Sequence, residues 1–335
     1  MATLPSPRTP DPAEAPPLRW GVLAPGNIAN PFVEGLGRFT RQRIVAVGSR
    51  STYRARAFAD RWGIERAHAS YEELVSDPQV DAVYVASPHS HHREHALLAI
   101  AAGKHVLVEK SFTRTAVEAR EVVDAARAAG VACLEAMWTR FLPRTDIVRQ
   151  VVANGMLGEL ETFIADHGQW FAFDPASRLF APELAGGALL DLGVYPVSYA
   201  SLVLGTPTRV TARGTLTSTG VDRQVSAVLE YGSGATALVT TTLAAKTPAT
   251  ASLSGSEARL ELDGDFYTPG VVRLITRDGD VVESDRPSIE GHLGLCFEAA
   301  HLAQLVADGA TESPLLPLDE TVTIMTTLDE IRAQV

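Results

Sequence analysis

At 335 residues the chain exceeds one comfortable hydrophobic core, so two domains are expected, and 46% apolar with 21% charged residues is ordinary soluble globular composition. A net charge of -11 without a basic run argues against a nucleic-acid binder, and two distant cysteines, Cys133 and Cys296, give neither a metal-ligand spacing nor a disulfide framework. No uninterrupted apolar stretch reaches membrane-span length, which together with reduced thiols points to the cytoplasm.

Residues 1–17 are rich in proline, alanine and acids and lack the apolar centre of a signal peptide; they read as a disordered tail. From Leu18 short apolar runs alternate with helical segments. Val22-Leu23, Ile44 to Val47, Ala82 to Ala86, Val106 to Val108 and Val131 to Leu134 are apolar almost throughout, as strands covered on both faces must be. Helices are predicted over Ala29–Leu36, Tyr53–Arg61, His92–Ala102 and Ala116–Ala129, the last two ending before Gly103 and Gly130. Strand and helix in alternation predict an α/β, Rossmann, doubly wound parallel sheet over residues 18–138.

Beyond Thr139 the pattern changes. A long helix is predicted over Gly186–Leu204. Strands follow at Arg209–Leu216, Val225–Tyr231, Ala235–Leu243, Ala251–Ser254, Ala258–Leu262 and Val271–Ile275, with turns at Asp263-Gly264 and Asp278-Gly279. Helices near His292–Val306 and Leu318–Ala333 close the chain. Residues 139–335 therefore read as an α/β domain with an open, largely antiparallel mixed sheet.

Three places carry chemistry. The first strand runs into Ala24-Pro25-Gly26-Asn27-Ile28-Ala29. Gly26 matches the glycine that admits a pyrophosphate, and Ala29 the small residue that packs helix on strand. Ala24 stands where the first glycine normally stands. The second strand ends in Gly48-Ser49-Arg50 with no acid for a ribose hydroxyl; Ser49 and Arg50 suit a 2′-phosphate, so NADP is expected over NAD, a solvated loop arginine being the plain alternative.

After the fourth strand comes Ser87-Pro88-His89-Ser90-His91-His92, then His95. Its place at a strand's carboxyl end suits the cofactor crevice; surface histidines are the alternative, and no metal site is expected. The fifth strand ends in Glu109-Lys110-Ser111, either an exposed ion pair or a cation aimed at a reacting hydroxyl.

From Gly186 to Leu204 the one charged residue is Asp191. A carboxylate within an apolar helix needs a cation or donors. Tyr195, four residues on, shares its face. With Lys110 they make an acid-base constellation; an anchoring aspartate and a core tyrosine are the structural alternatives. Among the aromatics Trp138, Trp170, Phe171, Phe173 and Phe266 read equally as pocket lining or core, and Arg140 and Arg178 as hydroxyl or phosphate ligands or surface residues.

Together these residues resemble the glucose–fructose oxidoreductase, inositol dehydrogenase and MocA (Gfo/Idh/MocA) family over Leu18 to the C-terminus. Ser49-Arg50-Ser51, Glu135 to Phe141 and Asp191 to Pro196 are similar to the dimeric dihydrodiol dehydrogenase and D-xylose dehydrogenase branch. Ser111 departs from the proline that normally follows the Glu-Lys pair. The resemblance implies that Lys110 is the essential lysine, that Asp191 supports it, that Tyr195 is the acid-base residue and that His92 lies near the nicotinamide. The expected cofactor set is Ala24, Gly26, Asn27, Ile28, Ser49, Arg50, Ser87, Pro88, His89, His92, Glu109, Lys110, Trp138 and Arg140; the expected substrate set is Lys110, Trp138, Phe171, Asp191 and Tyr195. The implied reaction moves a hydride between NADP(H) and a carbinol carbon of a neutral sugar, polyol or cyclic trans-diol, with a lysine favouring the phenolate of the tyrosine base. A homodimer or higher homo-oligomer through the C-terminal sheet is also implied. A nicotinamide-retaining glycosidase and a non-catalytic dinucleotide sensor are the competing readings.

Overall fold

The computed structural model describes residues 3–335, in two compact units. One holds Pro10–Trp138 and His292–Val322; the other holds residues 3–9, Thr139–Gly291 and Thr323–Val335.

In the first unit β1 (Arg19–Leu23), β2 (Arg43–Gly48), β3 (Arg66–His68), β4 (Ala82–Val85), β5 (His105–Glu109) and β6 (Cys133–Ala136) form one parallel sheet in the order β3-β2-β1-β4-β5-β6. The order reverses at β1, so the crevice of this doubly wound sheet opens beyond the carboxyl ends of β1 and β4. β4 is buried at every position, as its apolar run requires. Helices α1 (Ala29–Phe39), α2 (Thr52–Trp62), α3 (Tyr71–Ser76), α4 (His92–Ala101) and α5 (Ala116–Ala129) connect the strands. Ser51, Ser70 and Thr115 cap α2, α3 and α5 by accepting from the N–H three residues on. Neither β3 nor α3 was expected: each is short, and the half-buried Arg66-Ala67-His68 has no apolar run to announce an edge strand.

The second unit begins with α6 (Pro143–Ala153) and β7 (Leu160–Gly168). A π-helical turn, Leu189–Gly193, then leads into α7 (Val194–Leu204). β8 (Arg209–Leu216), β9 (Asp222–Glu230), β10 (Thr236–Thr242), β11 (Ala251–Gly255), β12 (Ala258–Leu262), β13 (Val272–Thr276) and β14 (Val281–Glu283) follow. With β7 they form an eight-stranded sheet, β14-β13-β12-β11-β7-β10-β9-β8, antiparallel except where β7 pairs with β10. α7 covers one face over β7 and β10. On the other face the register partners Ile164 and Leu238 are exposed.

The stretch Pro182–Leu204 does have the length and composition of a membrane span, against expectation, but 83% of its apolar window is buried within the fold, which makes it a core helix.

The chain then returns to the first unit through α8 (Cys296–Ala307), and the division between the units falls at Val322, inside α9 (Leu318–Arg332). The chain thus crosses between the units at Trp138/Thr139, again at Gly291/His292 and again at Val322/Thr323, where a single boundary at 138/139 was expected. α8 is apolar and needs cover, which it finds on α1, β5 and β6. The tail is corrected too, Met1 and Ala2 lying outside the described residues. Pro12–Glu14 forms a short 3-10 helix capped by Asp11, and Ala15 is buried against Ala300 and Ala303 of α8. In the second unit the Arg8 backbone N–H and Nη2 both donate to Asp146, at 2.7 and 2.8 Å. The proline-rich composition that suggests disorder here supplies small, pre-extended residues that lie along helices.

Candidate active site

The loops after β1, β2, β4 and β5 bring the sequence-predicted nucleotide residues to one edge of the parallel sheet. Ala24 has φ +58°, the left-handed conformation for which a glycine is usual, so the turn keeps its shape despite the substitution. Its N–H donates to Gly48 at 3.0 Å. A side chain on Gly26 would press on the Ala86 carbonyl at 3.3 Å. α1 then begins at Ala29 with Ile28 before it and no side-chain cap, the Ala29 and Asn30 N–H groups donating to the Gly26 and Asn27 carbonyls at 3.2 Å. Asn27 lies in that turn, its carbonyl accepting from Asn30. These features suit a dinucleotide pyrophosphate. After β2, Ser49 is buried, its Oγ accepting from Ser51 N–H at 3.2 Å, while Arg50 is exposed.

After β4, the Pro88 carbonyl accepts from His91, and His89 is buried with its ring edge-on to His92. Among the described residues no group of histidine, cysteine and acid side chains is arranged to hold a metal. His92 is fully buried. Its Nδ1 lies 2.7 Å from the Ser111 carbonyl and its Nε2 2.8 Å from that of Ser87. Burial drives its pKa down to about 4, against the pull of those two carbonyls, which favour a proton on each nitrogen. Both ring nitrogens of His92 thus face backbone carbonyls, and the neutral ring can donate to one of them.

At the end of β5 Glu109 is buried, accepting from Tyr84 OH on one oxygen and from Lys110 N–H at 3.2 Å on the other. Lys110 is partly exposed. Trp138, expected at cofactor and substrate, is 1% exposed and stacks on His292 with ring centroids 5.4 Å apart.

Asp191 and Tyr195 belong to the second unit, where local chemistry explains their placement. Gly187 has φ +115°, and a Cβ there would sit 2.1 Å from Asp222 Oδ1. That closeness lets buried Asp222 reach the Leu189 N–H at 2.6 Å and cap the helical segment from β9. Pro196 has no N–H to offer the Leu192 carbonyl four residues back; His167 Nδ1 donates to that carbonyl at 3.2 Å. The same histidine accepts from the Gln169 amide at 3.1 Å, a donor pattern that puts its proton on Nδ1. Its ring stacks on Tyr267 at 4.2 Å and meets Tyr195 edge-on at 5.2 Å. Burial, then Asp265, raise the Tyr267 pKa.

Asp191 is 5% exposed and receives Arg178 Nη1 at 3.0 Å. Arg178 is thus the cation that the buried carboxylate demanded, supplied from its own unit. Arg140, expected at the cofactor, is 1% exposed with Nε and Nη2 on Ser198 of α7, at 3.1 and 2.7 Å. Phe171 packs against the Leu179, Phe180, Ala188, Leu192 and Leu243 cluster. Phe266 is core, and Trp170 and Phe173 are exposed. His167 and Gln169 went unread because β7 went unread: Glu161, Thr162 and Asp166 interrupt its apolar residues, and Tyr267 lies in the connection between β12 and β13.

Residues 18–137 match an oxidoreductase family with an NAD-binding Rossmann fold, and residues 146–262 match the GFO/IDH/MocA C-terminal domain. The chain is 36% identical over 326 residues to trans-1,2-dihydrobenzene-1,2-diol dehydrogenase of Sus scrofa, covering 94% of this chain and 96% of that protein. The human enzyme of the same name is 34% identical over 325 residues, covering 94% and 96%. Among solved structures, KijD10, a 3-ketoreductase from Actinomadura kijaniata in complex with TDP-benzene and NADP, superposes with a TM-score of 0.81 at 28% identity, covering 95% and 98% of the two chains. With both domains matched in order and relatives alike over nearly their whole length, the chain belongs to the Gfo/Idh/MocA family of oxidoreductases.

Proposed function

We propose that this oxidoreductase is NADP(H)-dependent and moves a hydride between the nicotinamide and a secondary alcohol or hemiacetal carbon of a sugar, polyol or cyclic trans-diol. The observation that carries the reading is the setting of Tyr195. Its ring is held by His167 and Tyr267, one turn beyond a buried, arginine-paired aspartate. A fixed phenol beside polar groups, in an apolar helix, supports a proton-carrying role for Tyr195.

The chemistry divides among the chain's residues as follows. Tyr195 takes the hydroxyl proton in oxidation and returns it in reduction. Lys110 supplies the positive charge that favours the alkoxide. Asp191 orients a substrate hydroxyl, its own charge balanced by Arg178. Ala24, Gly26, Asn27 and Ile28 would hold the pyrophosphate, Ser49 and Arg50 the 2′-phosphate, and the segment Ser87 to His89 with Glu109 the nicotinamide side. The bound nicotinamide supplies the hydride acceptor or donor. The dihydrodiol dehydrogenase relatives support the diol class. The exposed Ile164 and Leu238 support a homodimer through the open sheet face, and a cytoplasmic setting suits the two buried thiols.

Reduction of NADP by aldoses, inositols and dihydrodiols, screened beside oxidation of NADPH by dicarbonyls, tests the reading. Turnover that disappears in Lys110→Ala while NADPH still binds supports it; wild-type kcat in that variant refutes it. Glycoside cleavage without net NADPH change would instead mark a glycosidase, and NADP binding with no turnover a sensor. For cofactor choice, Arg50→Ala is expected to raise the KM for NADP about tenfold or more while leaving that for NAD nearly unchanged; an equal effect on both would remove Arg50 from the 2′-phosphate.

A further inference from the structure

The chain leaves β5 through a buried passage. Glu109, Ser111, Phe112 and Thr113 are at most 5% exposed, and Lys110 is the partly exposed residue among them. A flexible lysine emerging from a buried turn points only as well as that turn is held.

The β5–β6 ladder ends at Glu109 opposite Ala136. Beyond it no strand remains to receive the next N–H groups, and a buried N–H without an acceptor is destabilising. Glu135 fills the gap. It sits on β6 opposite Val108, is 1% exposed, and its Oε1 accepts the Phe112 N–H at 3.1 Å. A side chain thus stands in for the missing strand residue. On the other side of the turn His92 Nδ1 lies 2.7 Å from the Ser111 carbonyl, and Glu109 accepts the Lys110 N–H.

We propose that Glu135 is a positioning residue for Lys110: by accepting the Phe112 amide it fixes, with His92, the turn from which the ammonium projects. The inference rests on the reading of Lys110 as the reaction's cation. A third carboxyl, Glu298 of α8, shares this interior with Glu109 and Glu135. Glu298 is fully buried and neither of its oxygens has a hydrogen-bond partner. Burial, then the charges of Glu109 and Glu135, push its pKa well up. Glu298, with neither oxygen bonded, holds its proton past the ordinary carboxylate range.

Glu135→Met removes the acceptor at similar volume, whereas Glu135→Gln retains a carbonyl oxygen. In Glu135→Met, deuterium exchange of the amides at 110–113 is expected to quicken about tenfold or more. Its kcat per folded enzyme should fall about tenfold, with substrate KM and NADP affinity changed by less than about twofold. Glu135→Gln should restore exchange and kcat together. Glu135→Asp, one methylene short, gives a graded second variant should the methionine variant fail to fold. Lower thermal stability with wild-type exchange at 110–113, or with wild-type kcat, overturns the proposal. Lys110→Ala separates the two failures: if it is inactive while Glu135→Met turns over normally, only the positioning role is lost; if it is active, the reading of Lys110 itself is lost.

Discussion

Glu298 offers the sharpest test of the interior electrostatics. In the unfolded chain a glutamate titrates near about 4.3. In the folded protein burial dominates, the like charges of Glu109 and Glu135 add to it, and the pKa is raised. The folded state therefore holds a proton that the unfolded state releases. Its contribution is complete below the unfolded pKa and is lost as pH rises toward the folded one, at about 1.4 kcal/mol per pH unit. Between pH 4.3 and 7 the loss amounts to roughly 3–4 kcal/mol for a group that stays neutral when folded. Glu298→Gln has the shape of the neutral acid and no proton to lose. Urea unfolding of both proteins at pH 5, 6, 7 and 8 should show the variant gaining on the wild type by about 1.4 kcal/mol at each step until the folded pKa is passed. Parallel stability curves would mean that Glu298 is ionised when folded, and would remove the proton assignment on which the three-carboxyl arrangement depends.

His92 gives the opposite slope. Its folded pKa, about 4, lies below the unfolded value, so its contribution is present above about pH 6.5 and is lost as pH falls through 4. A His92→Gln variant should be the less stable protein at pH 7 and recover about 3 kcal/mol relative to wild type by pH 4, measured by denaturant unfolding; a pH-independent difference would contradict a neutral buried ring. Gly187→Ala should destabilise by about 3–5 kcal/mol, combining backbone strain at positive φ with the displaced Asp222 hydrogen bond. The penalty should shrink in an Asp222→Ala background; full additivity would show that the Asp222 contact plays no part in it.

The parallel sheet could be read from the chain because its strands are buried on both faces. Ala82 to Val85 has no polar residue to interrupt it, and Thr115 and Gly130 mark both ends of α5. In the second sheet β8 to β13 were read from their β-rich runs, with turns marking some of their ends, whereas β7 and β14 were not. β7 lies between β11 and β10, and Glu161 and Asp166 fall one on each of its faces, so no apolar run announces it. α8 was found as a helix but assigned to the wrong unit, since an apolar helix states that it needs a partner without stating which.

The same distinction governs the site. Asp191 was conspicuous because a carboxylate in an apolar segment demands explanation, yet the demand could be met by any cation in the chain. The structure answers it with Arg178, thirteen residues earlier, through the sharp return at Gly186-Gly187 that only glycine permits against the Leu179 carbonyl and Asp222. His167 is the converse case. Nothing in its sequence neighbourhood makes it unusual, and its importance comes from a bond that Pro196 leaves open at Leu192. Sequence patterns reveal which groups are out of place; their partners are chosen by backbone geometry. Arg140 follows that rule: bound to Ser198 on α7, it acts on the helix that carries Tyr195, where the sequence had left a ligand contact and a surface position both open.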